Sequence, residues 1–138
     1  MFVLDQKLTH DTVFLGSLTL SHLLLMNQKR YPWVVLVPAV DNVTELFELS
    51  LSERLLLMSE LTHTTETMKE LYDADKMNVA SLGNQTPQLH FHIIARNHHD
   101  ATWPEPVWTD SIVEPYEHER IQREAAKIIS HVIATYSD

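Results

Sequence analysis

The chain has 138 residues, with 10 Lys+Arg against 19 Asp+Glu for a formal charge of −9, nine His, two Gly and no Cys. At 44% hydrophobic residues it can bury a core as one domain over residues 1–138 without staples, and the lack of cysteine excludes a disulfide framework or a thiolate zinc site. Acidic balance without a basic run excludes a protein that tracks nucleic-acid backbone, and no apolar run approaches the ~18 residues of a membrane span, so a cytoplasmic protein acting away from membranes is expected.

Along the chain, Gly16-Ser17 lies between Val13-Phe14-Leu15 and Leu18-Thr19-Leu20, the place for a hairpin or tight turn. Thr19 to Met26 reads as a leucine-rich strand, and Trp33 to Val37, bounded by Pro32 and Pro38, as a strand buried on both faces. Ser50 and Glu53 have capping-box spacing, and Leu55, Met58, Leu61, Met68, Leu71 and Tyr72 then predict a long amphipathic helix. Met77 to Leu82 and Gln88 to Ala95 are strands either side of a turn at Gly83 to Pro87. The segment His98 to Pro115, with Trp103 and Trp108, is irregular, and Ile121, Ala125, Ile128, Ile129, Val132, Ile133 and Tyr136 mark a last helix. This order predicts an α+β fold: an antiparallel sheet of about five strands, one long central helix and a C-terminal helix.

Chemistry concentrates in Gln88-Leu89-His90-Phe91-His92-Ile93-Ile94. Alternation along a strand puts Gln88, His90, His92 and Ile94 on one face and Leu89, Phe91, Ile93 and Ala95 on the core face. Such a face is either a polar surface that happens to carry histidines or a site. A His-x-His pair also offers two metal ligands, with His98, His99 and Asp100 as the nearby candidates to complete a zinc site. Arg96 continues the His92 face, where it either pairs with a carboxylate or contacts a phosphate.

These residues resemble the signature of the histidine triad (HIT) superfamily of nucleotide hydrolases and transferases, His-φ-His-φ-His-φ-φ with φ apolar, with Gln88 in place of the first His. Leu25-Met26-Asn27, Pro32-Trp33, Asn78-Val79-Ala80, Leu82-Gly83-Asn84 and Trp103-Pro104 fall in the family's order, and are similar to a bacterial branch that carries Gln at the first triad position. The resemblance implies cleavage at a nucleotide α-phosphate through a nucleotidyl-histidine intermediate. His90 would be the nucleophile and His92 a donor to phosphate oxygens, with Gln88 in the catalytic set. Asn78, Asn84 and Gln85 match positions at the phosphate or leaving group, and Gly83, at the entrance of the loop beside these amides, has no Cβ and so lets the backbone approach a phosphate closely. Asn27 matches the ribose position, although it also reads as a turn residue. Trp33 stands where many relatives have His, so that Trp33 and Gln88 look like one compensated substitution. Trp103 resembles an element that approaches the partner's site in dimeric relatives, or else simply packs.

The expected substrate is therefore a purine nucleotide or nucleotide conjugate such as a nucleoside phosphoramidate or dinucleoside polyphosphate. No cofactor or metal is required, and a homodimer is implied. Two other readings stand beside it: a nucleotide-binding module whose catalysis faded with the first His, and a metal site on His90 and His92.

Overall fold

The computed structural model describes residues 1–137. Asp5 opens a short helix, α1 (Gln6–Asp11), by accepting hydrogen bonds from the Lys7 and Leu8 amides. Three antiparallel strands follow: β1 (Thr12–Ser17), β2 (Ser21–Met26) and β3 (Trp33–Pro38). The central helix α2 (Leu51–Tyr72) starts at Ser50, whose hydroxyl and the Glu53 carboxylate close the expected capping box. Strands β4 (Lys76–Ala80) and β5 (Phe91–Arg96) complete a five-stranded sheet in the order β1-β2-β3-β5-β4, antiparallel throughout. Helix α3 (His118–Ile128) runs into a π-helical turn at Ile129–Ile133.

The sheet is covered on both faces, which explains why every residue of β3 is buried. On one side Leu23, Leu25, Val34, Leu36 and Ile93 pack with Leu57 and Met68 of α2 and with Ile128 and Val132 near the C-terminus. On the other, Leu24, Val35, Val37 and Ile94 meet Leu8 of α1, Tyr31 and Val107. The site lies on this second, thinly covered face.

Four expectations change. Gly16 is not in a turn: it sits inside β1 at a break in register between Phe14 and Gly16, and the chain reverses after it, where the Leu18 amide donates to the Ser21 carbonyl. Its φ of +149° and a Cβ that would lie 2.7 Å from the Ile133 side chain account for the glycine. The second histidine-bearing strand begins at Phe91 rather than Gln88, so residues 88–90 are outside the ladder. The buried stripe of α2 is Leu57, Glu60, Thr64 and Met68, while Leu51, Leu55 and Met58 face outward. Buried Glu60 caps the β1–β2 reversal by accepting from the Leu20 amide at 2.6 Å, a task that an apolar residue at that position could not do. Finally, the six residues of α1 are too few for an apolar repeat to reveal them.

Candidate functional site

Register fixes His92, and His90 lies just ahead of the ladder. His92 pairs with Val35 on one side and Ala80 on the other, and Ile93 and Leu89 turn to the α2 core. His90 and His92 thus share the opposite face, with ring centroids 4.9 Å apart, and are only 5% and 6% exposed.

Hydrogen-bond partners set both tautomers. The Gln88 carbonyl lies 2.7 Å from His90 Nδ1. A carbonyl only accepts, so Nδ1 carries the proton and Nε2 of the neutral ring keeps its lone pair. The Trp33 indole Nε1 lies 3.0 Å from His92 Nδ1. An indole only donates, so His92 carries its proton on Nε2. Burial, with a smaller contribution from neighbouring His90, pushes His92 down to about 4. The pair therefore has complementary valences: a nucleophilic nitrogen beside a neutral N–H donor.

Both rings open into a cleft of about 420 Å³. One wall is the loop from Leu82 to Thr86, which places the sequence-predicted Gly83, Asn84 and Gln85, together with Thr86, in the same cleft as the histidines. Gly83 has φ +90°, whereas a Cβ there would meet only ordinary contact at 3.7 Å, so the backbone conformation rather than crowding calls for glycine. A second wall comes from α1, through Lys7, Leu8 and Asp11. Met26, Trp33 and Trp108 close the apolar end, and Trp108 is 45% exposed with its ring centroid 5.0 Å from His92 and 5.8 Å from Trp33.

Other predicted site residues lie elsewhere. The Gln88 side chain leaves the cleft: its Oε1 accepts from the Asp5 amide at 2.8 Å and its Nε2 donates to the Val3 carbonyl at 2.9 Å. Gln88 lines a different cavity, beneath the N-terminal segment. Because residue 88 precedes the ladder, strand alternation does not hold it beside His90 and His92. Gln88 and Trp33 serve separate partners: Gln88 holds residues 3–5, and Trp33 holds His92. Asn27 also points away; its Oδ1 accepts from the Tyr116 amide at 2.9 Å and ties the segment after Trp108 to the end of β2. Asn78 Oδ1 accepts from Arg96 at 2.9 Å. Arg96, 1% exposed, is held by both oxygens of Asp100 at 2.8 and 3.0 Å and by the Glu105 carbonyl. Trp103 stacks on that guanidinium and on His98, outside the cleft.

Asp100 is thus committed to Arg96, and His98 lies 3.6 Å from Asp75. Among the described residues no group of three or more His, Asp or Glu side chains could hold a metal ion, so the candidates for a zinc site are not brought together. Sequence reasoning missed Lys7, Leu8, Asp11, Met26, Leu82, Thr86 and Trp108 as cleft residues. The Asp5 cap followed by Leu8 was the available signal for α1.

Residues 7–99 match the family model described as HIT domain. No curated protein sequence matches the chain significantly. Among solved structures, a histidine triad protein from Marinobacter aquaeolei VT8 is 41% identical with TM-score 0.94, covering 99% of each chain. A histidine triad protein from Sinorhizobium meliloti 1021 is 37% identical with TM-score 0.92, over 95% of this chain and 97% of that one. The Plasmodium falciparum diadenosine triphosphate hydrolase, at 18% identity and TM-score 0.63 over 97% of this chain and 82% of that one, shares the fold. No helix of the described residues is long and apolar enough to cross a membrane.

Proposed function

Since the chain belongs to the HIT domain family, we propose that it is a nucleotidyl hydrolase or transferase, cleaving at the α-phosphate of a purine nucleotide conjugate through a nucleotidyl-His90 intermediate. The observation that carries this reading is the tautomer of His90: with Nδ1–H donated to the Gln88 carbonyl, Nε2 has a free lone pair facing the cleft family. Nε2 attacks phosphorus, the bond to the leaving group breaks with its electron pair, and water then displaces the imidazole. His92 donates Nε2–H to a phosphate oxygen as charge builds. The amides and hydroxyl of Asn84, Gln85 and Thr86 supply further donors to the phosphate. The apolar end formed by Leu8, Met26 and Trp108 suits a nucleobase.

The homodimer belongs to the same reading. The outward apolar positions Leu51, Leu55 and Met58 of α2 support it as a stripe that the single chain leaves bare.

Incubation with adenosine 5′-phosphoramidate and with diadenosine triphosphate tests the proposal. Wild type is expected to release AMP and form an acid-labile nucleotidyl protein, and His90→Ala to lose both by a factor of ~10³ or more. Equal AMP release by the two proteins sinks the nucleophile assignment.

A further inference from the structure

Among the described residues, one side chain with a formal positive charge lines the cleft. Lys7 reaches it from the first turn of α1, and its Nζ sits 3.0 Å from Asp11 Oδ2, one turn on. Their side chains are 54% and 35% exposed, so the pair is solvated and its ammonium is redirected at little cost. The helix itself is held in place by Gln88, which anchors Val3 and Asp5, and by the Asp5 cap.

The remaining polar lining of the cleft is made of amides, a hydroxyl and imidazoles, together with Asp11. His92 is kept as a neutral donor, and Gln88, which does not titrate, is turned away. Apart from Lys7, whose ammonium is paired with Asp11, nothing in this lining is arranged to protonate a departing amine. A departing phosphate needs no proton: it leaves as an anion once the Pα–O bond breaks, and what it requires is a counter-charge. We infer that Lys7 is a specificity-determining residue that binds the leaving group, and that the preferred substrate is one whose leaving group is a phosphate. This rests on the nucleotidyl-transfer reading above.

The step balances without a further reactant. His90 Nε2 forms a bond to Pα, the Pα–O bond to the next phosphate breaks with its pair on that oxygen, and Lys7 Nζ–H donates to the departing phosphate. Water then forms the new P–O bond, the N–P bond breaks, and one proton passes to solvent.

The test compares kcat/KM for diadenosine triphosphate and adenosine 5′-phosphoramidate in wild type, Lys7→Met and Lys7→Arg. Loss of one charge-assisted hydrogen bond should lower the triphosphate-to-phosphoramidate ratio about tenfold in Lys7→Met, while Lys7→Arg keeps it within about threefold. A fall in both activities at constant ratio, or no change in either, overturns the inference, because a merely structural role of α1 affects the two substrates alike. Wild type that cleaves neither substrate defeats the nucleotidyl-transfer reading, and calorimetric titration with ADP and AMP then decides the role of Lys7. Tighter binding of ADP than AMP in wild type, lost in Lys7→Met, supports it; equal affinities in wild type, or an advantage that survives the substitution, overturn it.

Discussion

An indole proton decides which nitrogen of His92 faces the cleft. Trp33 donates to Nδ1 at 3.0 Å, and the same ring packs edge-on against His92 at 5.6 Å, so Trp33 both selects the tautomer and fixes the ring plane. Trp33→Phe keeps most of the packing and removes the donor. The imidazole is then free to carry its proton on Nδ1, leaving a lone pair aimed at phosphate oxygens. The expected outcome is a loss of about 10²-fold in kcat with KM much less affected, measured by AMP release under saturating substrate. A KM effect alone would show that Trp33 only shapes the cleft. At this scale the sequence was partly legible. His92 follows from the two-residue period of a strand and His90 lies just ahead of the ladder with its ring beside it, but the donor to His92 comes from β3, and no local pattern reports a partner 59 positions away.

At the scale of elements, Gln88 is a tether. Gln88 joins the start of β5 to residues 3–5, and this sets α1 against the cleft with Lys7, Leu8 and Asp11 in its wall. Burial raises the Asp11 carboxyl, but hydrogen bonds from His10 and Lys7 outweigh it and hold the group below its ordinary range, so α1 presents a carboxylate as well as an ammonium. Gln88→Ala removes two hydrogen bonds and should cost about 1–3 kcal/mol. Hydrogen exchange should quicken at the amides of α1 while those of β2 and β3 stay protected, and KM should rise as the wall loosens. Unchanged exchange in α1 would contradict the tether. Restoring a triad histidine with Gln88→His should not raise kcat, because position 88 faces the N-terminal segment. The motif places residue 88 two positions before His90, but its side-chain direction depends on where the ladder starts. The fold as a whole was more legible than this. The capping box at Ser50 and the apolar run between Pro32 and Pro38 each carry a complete local signal, whereas α1 and the outward turn of Leu55 and Met58 depend on tertiary packing.

For the whole molecule, placing a neutral histidine inside the covered sheet face links stability to pH. His92 titrates at about 4 in the folded protein, held down chiefly by burial, and near 6.5 when unfolded. Burial lowers His22 as well. A depressed histidine means that the unfolded chain takes up more protons between those two values, so stability is complete above about 6.5 and falls as pH drops toward 4. For His92 alone the loss between pH 7 and pH 5 is about 2 kcal/mol. The depressed carboxyls act in a lower window. Arg30 and Tyr31 hold Asp110 at about 2; burial raises Asp100, but Arg96 and the Asn97 and Trp103 amides together outweigh it and leave the group lowered. Their contribution is present above about 4 and is lost as pH falls below that, for Asp110 toward 2. Urea unfolding followed by tryptophan fluorescence from pH 7.5 to 4.5 should therefore show a falling midpoint well above the carboxylate range. In His92→Gln, whose amide oxygen still accepts from Trp33, most of that slope should vanish while the acid-side loss below pH 4 remains. A midpoint that is flat between pH 7 and pH 5 in wild type would mean that His92 gains its proton without opening the face on which the site is built.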